Sequence, residues 1–186
     1  MERKHRRSLR LRDYEYSQGG AYFITICTNN REPIFEIFPK LKETLQMQWG
    51  KLEARFPDIK LDEFIIMSNH IHGIIFIVGA IHESPLPLQA IYELPLLQNR
   101  RRMLLPKVIG YFKMNTAKQF NQILNRTGQP FWQRNYYDHI IRNENELTQI
   151  REYVQNNPLK WDLDRENPKS RNFNLNHDTY WKEVYE

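Results

Sequence analysis

Cysteine is almost absent from this sequence, and so are long apolar runs. The 186 residues include one cysteine, Cys27, so an intrachain disulfide cannot form and a cysteine-rich zinc site is excluded. The longest apolar run, residues 73–81, is far too short to cross a bilayer. No apolar secretory segment follows the basic N-terminus, so we expect a cytoplasmic protein with no membrane partner.

What the chain does have is the composition of a basic globular protein. Apolar residues make up 40% of it and aromatic residues 13%, which is enough to build a core and unlike a disordered chain. The length fits one domain, residues 1–186, better than two. The net charge of +5 suits a polyanionic partner such as nucleic acid, although many proteins of this charge bind none.

The pattern of apolar residues predicts the order β-α-β-β-α-β, followed by one more helix. This order is the split βαβ pattern of a ferredoxin-like sandwich with an antiparallel sheet, so we predict an α+β fold with an added C-terminal helix. In that helix Asn143 is a suitable N-cap, Glu146 completes a capping box, and Pro158 ends the helix. Strands are expected at residues 21–28, 59–67, 70–78 and 131–141, and helices at 40–56, 104–124 and 143–157.

Three segments are predicted to lie outside this framework. Residues 1–15 form a basic arm, residues 80–103 an insertion loop interrupted by prolines, and residues 162–186 a polar, extended tail that wraps the domain. The arm is so rich in arginine and lysine that a folded surface does not explain it. We expect it to contact nucleic-acid phosphates and to become ordered on binding.

Two histidines separated by one residue are the first candidates for chemistry. Side chains alternate faces along a strand, so His70 and His72 project to the same side. Two imidazoles on a rigid strand can bind one divalent cation. The same pair can equally be two polar residues at the start of a strand, each hydrogen-bonded to backbone.

The last helix carries a second candidate pair. Leu147, Ile150 and Val154 form its apolar stripe, and Tyr153 and Asn157 are neighbours on one flank of that stripe. A phenol and an amide oxygen on the same flank of a helix can both contact one bound ion or substrate group. A tyrosine at the edge of a core and an asparagine before a proline are also common without any catalytic role.

These residues occur in sequence segments that resemble a known family. The segments are FWQRNYYDHIIRNE at 131–144, YVQNNP at 153–158, MSNHIH at 67–72 and GYFKMN at 110–115. They closely resemble the REP-associated tyrosine transposases, which belong to the HUH single-tyrosine transposases of bacterial insertion sequences. The resemblance covers most of residues 16–161, in the right order.

The resemblance implies a metal-dependent enzyme that cuts and rejoins single-stranded DNA at short hairpins, with Tyr153 as the nucleophile and a 5′-phosphotyrosine intermediate. His70, His72 and Asn157 would bind Mg²⁺ or Mn²⁺, whereas imidazole ligands alone would also suit Zn²⁺. The insertion-sequence relatives have glutamine in place of Asn157, one methylene longer, so water can fill the gap to the metal. Those relatives act as dimers, but the long tail fits the REP-associated branch and favours a monomer.

Binders of single-stranded nucleic acid combine a cationic groove with aromatic stacking platforms. Each residue of this kind can also be a solvated charge or a core aromatic. The residues predicted to bind DNA are Arg3, Lys4, Arg6, Arg7, Arg10, Arg12, Arg100, Arg101, Arg102, Lys107, Lys113, Trp132 and Arg134.

Two other functions stay open on the sequence alone. One is a catalytically silent module that binds hairpin nucleic acid, for example to repress its own element, and that would tolerate Tyr153→Phe without loss. The other is a zinc-dependent hydrolase built on His70 and His72, which would form no covalent adduct with DNA.

Overall fold

The structure is a computed structural model that describes residues 19–78, 104–173, 175 and 180. The predicted basic arm and insertion loop lie outside these residues. None of the helices in the described ranges is long and apolar enough to cross a membrane. Nine of the predicted DNA-binding residues also fall outside the description: Arg3, Lys4, Arg6, Arg7, Arg10, Arg12, Arg100, Arg101 and Arg102.

An antiparallel sheet of four strands forms the centre of the described part of the chain. Its strands are β1 Gly20–Cys27, β2 Ile59–Ile66, β3 His70–Ile77 and β4 Tyr137–Ile141. Their order in the sheet is β2-β3-β1-β4, and the two central strands pair from Gly20 opposite Ile77 to Cys27 opposite His70. Because every neighbour is antiparallel, β1 and β2 run in the same direction with β3 between them, and the predicted ferredoxin-like fold is confirmed.

Five α-helices and two short 3-10 helices complete the described elements. The α-helices are α1 Ile34–Ile37, α2 Leu41–Gly50, α3 Leu52–Arg55, α4 Leu104–Ile123 and α5 Glu144–Asn156, and the 3-10 helices are Asn29–Arg31 and Asn157–Leu163. The prediction of a single helix over residues 40–56 is wrong, because the structure divides this segment into α2 and α3. Gly50 ends α2, and glycine is the residue that weakens a helix most after proline.

The predicted strand over 131–141 is also too long. Only Tyr137–Ile141 is strand, and the preceding residues contact β1 through an isolated bridge between Trp132 and Thr28. The ammonium of Lys113 on α4 donates to the carbonyl oxygens of residues 133–135, at 2.7, 3.1 and 3.2 Å. A backbone whose carbonyls point at one ammonium cannot present them to a neighbouring strand.

Alternation along β3 divides the core into two clusters, one on each face of the sheet. Ile71 and Ile75 belong to the larger cluster, which includes the apolar residues of α2 and α4. Ile74 belongs to the smaller cluster, which includes Phe23 and the apolar stripe of α5. The side chains of His70 and His72 alternate with Ile71, so they lie on the α5 face.

A glycine in the middle of β3 allows the larger cluster to pack closely. A Cβ atom on Gly73 would lie 2.6 Å from two ring carbons of Trp49 on α2. The Trp49 ring stacks on Phe64 of β2 with 4.5 Å between ring centroids. The absence of a side chain at Gly73 therefore lets the indole ring approach the backbone of β3 closely.

The start of α5 is fixed by a capping box, as predicted. The side chain of Asn143 accepts a hydrogen bond from the backbone N–H of Glu146 at 2.9 Å. The carboxylate of Glu146 accepts from the backbone N–H of Arg142 at 2.6 Å and lies 2.7 Å from Nε2 of His139 on β4. These contacts tie the first turn of α5 to the end of the sheet.

The chain beyond α5 differs from the extended tail that the sequence predicted. The 3-10 helix Asn157–Leu163 continues directly from α5, since proline is tolerated in a first helical turn. Residues 165–173 then form a series of turns. Four polar side chains between residues 164 and 173 are nonetheless buried, namely Asp164, Glu166, Asn167 and Ser170. The tail is therefore packed against the domain by specific polar contacts.

Candidate metal centre and tyrosine

His70 and His72 lie side by side on β3 and are 0% and 2% exposed. Their Nε2 atoms are 2.9 Å apart. Nδ1 of His70 lies 2.8 Å from Oδ1 of Asn69, and Nδ1 of His72 lies 2.9 Å from Oγ1 of Thr25. Because an amide oxygen only accepts, His70 carries its proton on Nδ1, and its Nε2 offers a lone pair to a ligand.

The third member of this cluster is Asp164, which sequence reasoning did not identify. Its Oδ2 lies 3.8 Å from Nε2 of each histidine, and the residue is 1% exposed. Its Oδ1 accepts from the backbone N–H of Glu166 at 2.6 Å, which fixes the carboxylate. In the described ranges, His70, His72 and Asp164 form a group whose ligand atoms all lie within 4.8 Å of one another.

Asn157 reaches the same cluster from the end of α5. Its Nδ2 donates to Oδ2 of Asp164 at 2.8 Å and lies 3.4 Å from Nε2 of His72. Its Oδ1 is buried and has no hydrogen-bond partner among the residues described. A buried, unpaired amide oxygen costs free energy, and the two ends of an amide are similar in size. A rotation that brings Oδ1 to a bound cation would remove that cost.

This donor set fits a divalent cation. Two imidazole nitrogens, one carboxylate and one amide oxygen make the mixed nitrogen and oxygen set that Mn²⁺ and Zn²⁺ accept. Burial lowers the pKa of His70 to about 4, so the ring is a neutral ligand at neutral pH. Burial opposes the ionisation of Asp164, but the imidazoles of His70 and His72 and the amide of Asn157 hold the pKa of its carboxyl well below the usual range.

Tyr153 on α5 places its hydroxyl at the edge of this cluster. The oxygen lies 3.3 Å from Nε2 of His72, 3.4 Å from Oδ2 of Asp164 and 3.1 Å from the hydroxyl of Tyr180. Phe23 supports the ring from the sheet in an edge-to-face contact, with centroids 6.0 Å apart. Burial raises the pKa of Tyr153 well above its ordinary value, and the nearby Asp164 and Tyr180 raise it further.

The tail is anchored beside the histidines through Glu166. Arg31 donates to its Oε2 from two nitrogens, each at 2.8 Å. The backbone oxygen of Glu166 accepts from Asn69 at 2.9 Å, and the thiol of Cys27 donates to its carboxylate at 3.3 Å. Burial raises the pKa of Cys27 well above its ordinary value, so the thiol stays protonated. These contacts position Asp164, which lies two residues earlier.

The comparisons with known proteins agree with this fold. No protein-family model matches the sequence. The chain is 37% identical over 174 residues to an uncharacterized protein of Haemophilus influenzae. The alignment covers 87% of this chain and 92% of that protein. This chain belongs to the same family as the Haemophilus protein.

A solved structure shares the fold of this chain. It is a REP-associated tyrosine transposase bound to a REP hairpin, with a TM-score of 0.51 and 19% sequence identity. The match covers 83% of this chain and 74% of that chain. At this level of identity the likeness shows a common fold.

Four of the predicted DNA-binding residues lie in the described ranges. They differ in how exposed their side chains are and in the contacts that they already make. Lys107 and Arg134 are exposed. Lys113 donates to three backbone carbonyls near β4, and burial lowers its pKa to about 8. Trp132 is 6% exposed and its indole N–H donates to Thr116 at 2.9 Å. Its ring therefore lies in the core, and stacking on a base would require the ring to leave this position.

Proposed function

We propose that this protein is a metal-dependent tyrosine transposase that cleaves and rejoins single-stranded DNA at hairpin-forming, REP-like palindromes. The observation that carries the proposal is the hydroxyl of Tyr153, 3.3 Å from Nε2 of His72 and 3.4 Å from Oδ2 of Asp164. A phenol is a poor nucleophile at neutral pH unless positive charge lies close to it. The cluster beside Tyr153 can hold such a charge, and the fold shared with a REP-associated tyrosine transposase supports the same function.

His70, His72 and Asp164 would hold the metal ion, with the amide oxygen of Asn157 completing the set. When bound, the ion supplies Lewis-acid catalysis, since it withdraws charge from the phosphoryl oxygens and favours ionisation of a nearby phenol. We propose Mg²⁺ or Mn²⁺, and the two imidazoles favour Mn²⁺, because Mg²⁺ prefers a set of oxygen ligands.

The chemical step is a transesterification by Tyr153. Its phenolic oxygen forms a bond to the phosphorus, and the bond from phosphorus to the 3′ oxygen breaks. The phenolic proton passes to solvent, and the leaving 3′ oxygen takes up a proton. The products are a 5′-phosphotyrosine and a free 3′-hydroxyl, so the energy of the phosphodiester is kept. The 3′-hydroxyl of another strand can then reverse the step at a new junction without ATP.

One chain supplies the whole proposed site. Tyr153 contacts the histidine of its own sheet, which supports a monomer. We also propose that residues 1–186 form a single domain and that the protein acts in the cytoplasm. We propose that the arm (1–15), the arginines at 100–102 and the exposed Lys107 and Arg134 bind the DNA backbone, since phosphate contacts supply most of the affinity for single strands.

The test uses hairpins from the genomic DNA that flanks the coding sequence, labelled at the 3′ end so that the label stays on the adduct. Wild type, Tyr153→Phe and Tyr111→Phe are compared in Mn²⁺ and in EDTA. Tyr111 is the matched control, because it packs against Phe56 in the larger core cluster, away from the histidines. We expect an adduct that survives a denaturing gel, requires Mn²⁺ and disappears only with Tyr153→Phe.

Two other results would identify the other functions. Hairpin binding without an adduct in any metal would favour the silent binding module and would remove the role of Tyr153. Cleavage without an adduct, supported by Zn²⁺ and retained in Tyr153→Phe, would indicate a hydrolase that uses His70 and His72.

A further inference from the structure

Asn69 is a buried asparagine in the turn between β2 and β3, directly before His70. Its side chain and backbone together are 1% exposed. Its backbone oxygen accepts from the backbone N–H of Thr28 at 2.8 Å and from the Thr28 hydroxyl at 2.9 Å, so the end of β1 holds this turn in place. A buried amide left without hydrogen-bond partners costs free energy, and the partners of Asn69 therefore determine how its side chain lies.

The two ends of the Asn69 side chain face different groups. Nδ2 donates to the backbone oxygens of Glu166 at 2.9 Å and of Arg31 at 3.3 Å, and Oδ1 lies 2.8 Å from Nδ1 of His70. The two ends of an amide have nearly the same shape, so its orientation follows from its partners. Both backbone oxygens can only accept, and a rotated amide would place Oδ1 against them. Glu166 and Arg31 therefore fix Oδ1 toward His70.

This orientation decides which nitrogen of His70 carries the proton. Oδ1 has no proton to give, so Nδ1 of His70 donates to it and Nε2 keeps its lone pair. Nε2 is the nitrogen that lies 3.8 Å from the carboxylate of Asp164. In the other tautomer Nε2 would carry a proton and could not bind a cation. One buried amide thus selects the form of His70 that can act as a ligand.

The neighbouring histidine has a partner of a different kind. Nδ1 of His72 lies 2.9 Å from the hydroxyl of Thr25. A hydroxyl can donate or accept, so it suits either tautomer of His72. An amide oxygen suits only one tautomer of His70, and the selection therefore comes from Asn69.

We propose that Asn69 is a positioning residue that holds His70 in the tautomer that binds the metal ion. This inference rests on the metal site of the proposed function. It also links the two segments that supply ligands, because the same amide contacts His70 on β3 and the backbone of Glu166, two residues after Asp164. Loss of such a hydrogen bond to a ligating histidine typically weakens metal binding about 10- to 100-fold.

The first test determines the tautomer of His70 in metal-free protein by long-range ¹H–¹⁵N NMR correlation in EDTA. The signals of His70 are assigned by their loss in His70→Asn. We expect the Nδ1–H form in wild type and in Asn69→Asp, which keeps an oxygen that can accept. Asn69→Leu keeps the approximate size and has no acceptor, so both tautomers should be present. The Nε2–H form in wild type would overturn the proposal whatever the variants show.

The second test measures Mn²⁺ affinity by titration calorimetry. We expect Asn69→Leu to bind Mn²⁺ about 10- to 100-fold more weakly than wild type, and Asn69→Asp to recover most of this loss. The matched control is Asn121→Leu on α4, which also removes a hydrogen bond from an amide to a backbone oxygen, that of Gln129 at 2.7 Å. This control should bind Mn²⁺ as wild type does, even if it is less stable in EDTA.

Two results of the titration would overturn the inference. One is equal Mn²⁺ affinity in Asn69→Leu and wild type, and the other is equal weakening in Asn69→Leu and Asn69→Asp. If Asn69→Leu does not fold, Asn69→Ala and the tautomer of the wild type carry the test.

Both readouts are independent of DNA, so this inference and the proposed function can fail separately. Mn²⁺ affinity that depends on Asn69, in a protein that forms no adduct, would keep the inference and reject the proposed function. Adduct formation by a protein whose Mn²⁺ affinity is unchanged in Asn69→Leu would reject the inference alone.

Discussion

Asp164→Asn is the substitution that separates a metal ligand from a structural anchor. The side chain keeps its size, and the remaining carbonyl oxygen can still accept from the backbone N–H of Glu166. The new amide nitrogen would face the amide of Asn157, whose Oδ1 now has no partner among the residues described. A rotation of Asn157 restores the pair, but the contacts that lower the pKa of Asp164 stabilise its charged form. Without metal the free energy of unfolding should therefore fall by about 1–3 kcal/mol at neutral pH.

The effect on metal affinity should be much larger. Oδ2 of Asp164 lies 3.8 Å from the nitrogens that would share the ion. Two unit charges about 4 Å apart attract by about 4 kcal/mol at an effective dielectric constant of about 20, and a divalent ion doubles this. A ligating oxygen lies closer to its ion than two ligand atoms lie to each other, so the gain is at least this large. Desolvation and the oxygen that remains offset more than half of the gain. We expect a loss of about 3 to 4 kcal/mol, which is about a 100- to 1,000-fold weaker affinity for Mn²⁺.

Titration calorimetry with MnCl₂ measures the affinity, and denaturation in EDTA measures the stability. The matched control is Asp162→Asn, because Asp162 is exposed two residues earlier on the same segment and should bind Mn²⁺ as wild type does. Unchanged Mn²⁺ affinity in Asp164→Asn would refute the assignment of Asp164 as a ligand. A large loss of stability in EDTA would show that Asp164 acts mainly as an anchor of the tail.

Two further predictions concern the framework of the site. Gly73→Ala should lower the free energy of unfolding, measured by chemical denaturation, by about 1–3 kcal/mol, because the new Cβ would lie 2.6 Å from the Trp49 ring. The control is Gly110→Ala, which should not destabilise the protein, because a Cβ at Gly110 would meet no atom within 4 Å. Burial opposes ionisation of Glu146, but hydrogen bonds from His139 and a backbone N–H outweigh it and lower its pKa below the usual 4.5. The resulting stabilisation is present above that pH and is lost as the pH falls through the folded pKa, so the stability deficit of Glu146→Gln relative to wild type should be largest at neutral pH and should shrink as the pH falls below 4.5. A deficit that does not change with pH would contradict this reasoning.

The features that could be predicted from the sequence are those that depend on local patterns. Alternation places His70 and His72 on one face of β3 whatever the tertiary structure. The capping box at Asn143 and Glu146 depends on spacing within one turn, and it fixed the start of α5 to the residue. The helical spacing of Tyr153 and Asn157 follows from that start.

The features that could not be predicted depend on contacts between distant segments. Asp164 is one acid in a polar tail, and only the anchoring of Glu166 to Arg31, 135 residues away, brings it to the histidines. The apolar residues before β4 resemble a strand, but Lys113 on α4 captures their carbonyls. Trp132 looked like a stacking platform because the sequence cannot distinguish an aromatic that faces the core from one that faces solvent.

The measurement that tests the central claim most directly is the identification of the amino acid that carries the DNA. A hairpin adduct formed in Mn²⁺ is digested with nuclease and protease, and the nucleotide-bearing peptide is sequenced by mass spectrometry. Our account predicts a phosphotyrosyl linkage on Tyr153. Attachment to Tyr180, whose hydroxyl lies 3.1 Å from that of Tyr153, or to any other residue, would contradict it.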